Sequence, residues 1–143
     1  MPTDLYKRYG GGKQWALVTG ASDGIGAEYC RVLAQQGFNI LLVSRTMSKL
    51  KSVEQSIHEV CQKNGCNKIQ TEIVQVDFAG TASVEKYKEL QNRIEALNLD
   101  ISIVIINAGL AVFGPFVDQS PKQVQDMLDI NIYQYGMLGH YYL

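Results

Sequence analysis

Cysteine is scarce in this chain: Cys30, Cys61 and Cys66 are its only three, an odd set without paired C-x-x-C spacing. That excludes a disulfide framework and argues for reduced thiols in a reducing compartment. His58, Cys61 and Cys66 offer no fourth ligand for a structural zinc, so no metal site is expected. Charge of one sign is equally scarce. Thirteen basic residues face fourteen acidic ones, and no like-charge block reaches the length of an interaction tail, so no nucleic-acid partner is expected. Long apolar runs are missing too: stretches such as Ile40-Leu41-Leu42-Val43 and Ile103-Val104-Ile105-Ile106 fall far short of the ~18 residues a membrane-spanning helix requires. They read as buried strands, and no membrane segment is read in this chain. The opening Met1-Pro2-Thr3-Asp4 has neither a basic nor an apolar leader pattern, which on the residues alone points to the cytoplasm.

What the sequence does contain is alternation. Trp15-Ala16-Leu17-Val18 reads as a first strand, Gly24 to Gln36 as a helix stopped by Gly37, and Phe38 to Val43 as a strand buried on both faces. Leu50, Val53, Ile57 and Val60 mark one face of a second helix ending near Asn64-Gly65, and Ile69 to Phe78 reads as a third strand. Val84, Tyr87, Leu90, Ile94 and Leu97 line a third helix; Ile101 to Ile106 form a fourth strand. Ser120-Pro121-Lys122-Gln123 opens a last helix with a capping box. Strands alternating with helices demand a parallel sheet, so the fold class is α/β: a Rossmann-like doubly wound sheet, truncated to about four strands in the order 3-2-1-4. Residues 1–143 are read as a single domain of this kind.

In such sheets ligands bind beyond the carboxyl ends of the strands, and there the sequence places a glycine-rich turn, Thr19-Gly20-Ala21-Ser22-Asp23-Gly24-Ile25-Gly26. Gly20 permits a sharp turn off the strand, Gly24 leaves backbone open to a phosphate, and Gly26 lets helix and strand pack closely. Ser22, Asp23, Gly24 and Ile25 lead into a helix N-terminus whose free N–H groups suit a dinucleotide pyrophosphate. A turn of this composition that binds nothing is the plain alternative. Arg45 follows the second strand, where an NAD site would present an acid to the ribose hydroxyls, so NADP(H) is the expected cofactor, ahead of NAD(H). Ser44 can add a hydrogen bond to the 2′-phosphate and Lys49 can add charge; a solvated arginine is the alternative for Arg45. Val124, Leu128, Asn131, Tyr135 and Leu138 step along one helix face, which puts the Asn131 amide in an apolar stripe where it must find partners, structural or catalytic.

The Thr-Gly-x-x-x-Gly-x-Gly spacing resembles the signature of the short-chain dehydrogenase/reductase family. Lys13 to Thr19 and Ala21 to Gly26, with Asp77-Phe78, are similar to its 17-beta-hydroxysteroid dehydrogenase and very-long-chain 3-oxoacyl-CoA reductase branch. The resemblance implies that Asp77 bonds the adenine ring and that Asn107, Ala108 and Gly109 floor the cofactor site, with Ile106 replacing the first asparagine of the family's motif. It further implies that Asn131 is the catalytic asparagine holding a water in a proton relay. A turn aspartate and a helix-capping amide are the structural alternatives for Asp77 and Asn131. A steroid or long-chain 3-oxoacyl substrate, a homo-oligomer and, by family analogy, an endoplasmic-reticulum location follow.

Family members complete the site with a serine and a Tyr-x-x-x-Lys pair beyond the next strand. Tyr9-Gly10-Gly11-Gly12-Lys13 matches only formally, since it precedes the first strand at the wrong end of the sheet. The expectation is therefore a cofactor-binding half, with its fourth strand left as an apolar edge prone to aggregation. A non-catalytic NADP(H)-binding or assembly module is the competing reading.

Overall fold

The computed structural model describes residues 5–9, 14–65, 69–80 and 82–143. The Met1–Asp4 opening, Cys66 and the Gly10–Lys13 part of the formal Tyr-x-x-x-Lys match lie outside them. The chain divides into two compact units, Met1–Val76 with Asn98–Asn107, and Asp77–Leu97 with Ala108–Leu143.

The first unit holds a four-stranded parallel sheet in the order β3-β2-β1-β4, as the alternating pattern requires. Its strands are β1 (Trp15–Thr19), β2 (Asn39–Ser44), β3 (Thr71–Gln75) and β4 (Ile101–Ile105). Every residue of β1 and β2 is buried, which explains why β2 reads as a near-continuous apolar run. One short helix, α1 (Leu5–Tyr9), escaped the periodicity reading because five residues span little more than one turn. Helix α2 (Gly24–Gln35) buries Ala27, Cys30, Leu33 and Ala34 at steps of three, three and one. It ends at Gly37, whose φ of 97° side chains avoid.

Helix α3 (Met47–Lys63) buries Leu50, Val53, Ile57 and Cys61. Cys61 takes the place expected for Val60, which is half-buried, because the step from Ile57 is four residues and not three. These side chains join Phe38, Ile40, Leu42 and Ile69 in one core. His58, on the outer side of α3, shares a 3.1 Å hydrogen bond with Thr71, while Cys61 is packed in the core.

β3 is shorter than the Ile69 to Phe78 stretch that the sequence suggests. Its last pairing, Gln75 opposite Ser44, coincides with the end of β2, and a strand cannot extend its ladder past its partner. Asp77 therefore lies two residues beyond the strand.

The second unit is helical: α4 (Val84–Glu95), a 3-10 turn at Phe116–Asp118, α5 (Pro121–Leu128), a π-helical turn (Asp129–Tyr133) and α6 (Gln134–Tyr142). Ser83 caps α4 by accepting from Lys86 N at 3.2 Å, and Tyr87, Leu90 and Ile94 are its buried face. Phe78 stacks on Tyr87, which meets Tyr133 edge-on at 5.5 Å between centroids. The capping box at Ser120 forms as expected, with Pro121 opening α5. Among the described residues no helix is long and apolar enough to cross a membrane.

The last helix corrects one reading. A π turn at Asp129–Tyr133 inserts an extra residue, and of the expected stripe Val124, Leu128, Asn131, Tyr135 and Leu138 only Leu138 is buried. Asn131 is exposed, and so are Leu128 and Tyr135; the inward positions fall to Asp129, Gln134 and Leu138. Asn131 is thus not an amide in an apolar stripe.

Candidate functional site

The carboxyl end of β1 is tied to the end of β4 by two hydrogen bonds. Thr19, fully buried, takes two hydrogen bonds from Asn107, the second residue past β4: Asn107 N donates to Thr19 Oγ1 at 3.0 Å and Asn107 Nδ2 to Thr19 O at 3.1 Å. The two strand ends are thereby clipped together directly beside the glycine turn.

Each glycine of that turn has a distinct role. Gly20 adopts a φ of 64°, turning the chain off β1. Gly26 is crowded: a Cβ there would sit 2.2 Å from Gly20 O and 2.6 Å from Asn107 Nδ2, so only glycine lets α2 come this close to β1 and its clip. Gly24 is the opposite case, with nothing within 4 Å of a Cβ position, so the backbone at the start of α2 opens outward. Ile25 beside it is 71% exposed. A closed cradle behind an open helix N-terminus is what a pyrophosphate needs, and the residues present fit one.

Two side-chain links join the β1–α2 turn to the β2–α3 turn. Ser22 and Ser44 hydroxyls lie 2.8 Å apart. Asp23, the N-cap of α2, accepts from Gly24 N at 2.8 Å through Oδ1 and from Lys49 Nζ at 2.9 Å through Oδ2. The Lys49 hydrogen bond, followed by that of Gly24, holds the Asp23 carboxyl below its ordinary range. Lys49, expected only as added charge for a phosphate, is instead engaged by an acid. Thr19 pairs with Val43 in register, which brings the two turns beside each other. Arg45 stands exposed just past β2, its carbonyl held by Gln75 Nε2 at 2.9 Å. Ser22, Asp23, Gly24, Arg31, Lys49 and Ser52 border an open polar pocket of about 390 Å³.

In the second unit Asp77 accepts from Ala79 N at 3.1 Å, an Asx turn. Ala108 is half-buried, its carbonyl receiving Gln134 Nε2 at 3.3 Å, and Gly109 is exposed. Asn131 grips the main chain of Leu110 at both ends, accepting from Leu110 N at 2.9 Å and donating to Leu110 O at 2.7 Å. The buried amide of this segment is Gln134, which sequence reasoning passed over because the extra residue of the π turn is invisible to periodicity.

Residues 14–138, from the lead into β1 through the glycine turn and the Thr19–Asn107 clip, match the short chain dehydrogenase family. The chain belongs to this family. As a short chain dehydrogenase it is similar to the very-long-chain 3-oxoacyl-CoA reductase of Yarrowia lipolytica, 38% identical over 134 residues that make up 92% of this chain and 32% of the relative. Hydroxysteroid dehydrogenase-like protein 1 of Gallus gallus is 37% identical over 141 residues, 96% of this chain and 38% of the relative. This short chain dehydrogenase chain therefore spans about a third of the length of such curated relatives. Among solved structures, a short-chain dehydrogenase from Sphingobium yanoikuyae in complex with NADPH superposes with a TM-score of 0.72 at 27% identity, covering 89% of this chain and 46% of that one.

Proposed function

We propose that the chain is the cofactor-binding part of an NADP(H)-dependent oxidoreductase that interconverts a ketone and a secondary alcohol on a steroid or long-chain 3-oxoacyl substrate. The observation that carries this reading is the β1–α2 turn, where Gly26 is pressed against Gly20 and Asn107 while Gly24 stands open. In this reading the main chain of Gly20, Ser22, Asp23, Gly24, Ile25 and Gly26 holds the pyrophosphate, and the first N–H groups of α2 face its charge. Ser44 and Arg45 receive the ribose 2′-phosphate, Arg45 through charge-assisted hydrogen bonds. Asn107, which clips β4 to β1, and Ala108 and Gly109 are each assigned to the cofactor floor. Asp77 is assigned to the adenine ring and Asn131 to the water of the proton relay.

The bound nicotinamide supplies or accepts the hydride; this chain's residues bind and orient it. NADPH in the Sphingobium yanoikuyae relative and the acyl-CoA reductase name of the Yarrowia lipolytica relative support the cofactor and substrate classes. Endoplasmic-reticulum residence and a homo-oligomeric whole protein belong to the same proposal.

Arg45→Asp tests it, read by fluorescence titration with NADPH and NADH. One charge-assisted interaction contributes about 1.5–3 kcal/mol, so the variant should bind NADPH roughly 10- to 100-fold more weakly while NADH binding holds or improves. An unchanged ratio of the two affinities would remove Arg45 from the site.

A further inference from the structure

The glycine turn carries an acid where a phosphorylated nucleotide is read to bind, and the structure shows how that charge is met. Both oxygens of Asp23 are engaged, Oδ1 by Gly24 N and Oδ2 by Lys49 Nζ at 2.9 Å. Arg31 borders the same pocket, but its guanidinium is bonded to Glu28 at 2.7 Å and to Ser56 at 3.1 Å. Lys49 is the cation that faces Asp23. It comes from the first turn of α3, four residues after Arg45, and the Ser22–Ser44 contact ties the two turns together beside it.

We propose that Asp23 and Lys49 form a charge-compensating pair that sets nucleotide preference: Lys49 cancels the Asp23 carboxylate, so that a phosphorylated ribose meets the cation of Arg45 across an electrically neutral turn. This rests on the NADP(H) reading of the site and adds a specificity determinant to it. Without Lys49 the carboxylate repels the additional phosphate, and the penalty falls on NADPH far more than on NADH, which lacks that group. The coupling has a direction: Lys49 matters because Asp23 is there.

The test is a double-mutant cycle on the full chain, with dissociation constants for NADPH and NADH measured by fluorescence titration and folding checked by circular dichroism. Lys49→Met should weaken NADPH about tenfold and NADH less than about threefold. Lys49→Arg, which keeps the charge, should leave both within about threefold. Adding Asp23→Asn to Lys49→Met should restore NADPH to within about threefold of the parent, because nothing is left to compensate. A Lys49→Met chain with an unchanged NADPH-to-NADH ratio overturns the pairing, as does a double variant as weak as Lys49→Met alone. If the parent binds neither nucleotide, the cofactor reading itself falls; if it binds NADPH and the cycle shows no coupling, only this inference does.

Discussion

Replacing Gly26 with alanine places a methyl group 2.2 Å from the Gly20 carbonyl oxygen and 2.6 Å from Asn107 Nδ2. Both neighbours are fixed: one is backbone at the end of β1, the other a side chain tied to Thr19 by its amide. Ordinary contact then requires α2 to withdraw by about 1 Å, in a core packed too densely to absorb such a shift freely. Overpacking of this kind costs about 1–3 kcal/mol, and disturbing the two Asn107–Thr19 hydrogen bonds adds about 1 kcal/mol each. Against this stands a gain of about 1 kcal/mol from alanine's better helix propensity. The balance is a loss of about 2–4 kcal/mol, a large share of the 5–15 kcal/mol typical of a folded domain. Trp15, the sole tryptophan and only 6% exposed, sits in β1 and reports directly on this unit. Urea unfolding followed by its fluorescence should show a midpoint shifted well downward with an unchanged slope. A Gly26→Ala chain as stable as the parent, or more so, would refute the claim that close approach fixes this glycine.

Gly136, in α6, makes the opposite case: nothing lies within 4 Å of its Cβ position, so Gly136→Ala should be neutral or stabilising by up to about 1 kcal/mol in a far-ultraviolet melt. Ser120→Ala removes the cap of α5 and should cost about 0.5–2 kcal/mol, seen as faster amide exchange at Gln123 and its neighbours. Burial pushes the Cys30 thiol up from 9.0 to about 12. At pH 8 peptide mapping should find Cys30 unalkylated in the folded chain and alkylated in urea. Because the unfolded chain loses that proton first, stability should fall as pH rises from about 9 toward 12 and be indifferent to this group below that range.

Local chemistry was the legible part. The glycine spacing, the apolar run of β2 and the Ser120 capping box each report a requirement met within a few residues, and each is where the sequence places it. Three things depended on partners far away in the chain. β3 ends at Gln75 because β2 ends at Ser44, a limit that the apolar Val76 and Phe78 do not reveal. The π turn at Asp129–Tyr133 moves Asn131 outward and Gln134 inward, and no residue type announces that inserted position. The Asp23–Lys49 link needs the sheet register before two exposed charges 26 residues apart become neighbours. Within the site, therefore, the identity of the turn was readable and its electrostatics were not.

The most direct measurement is isothermal calorimetry of the folded chain with NADPH and, separately, NADH. Saturable heat is expected with NADPH, with an affinity for NADH lower by about tenfold or more, from the Arg45 interaction. Folded protein that gives no heat with either nucleotide at millimolar concentration would contradict it.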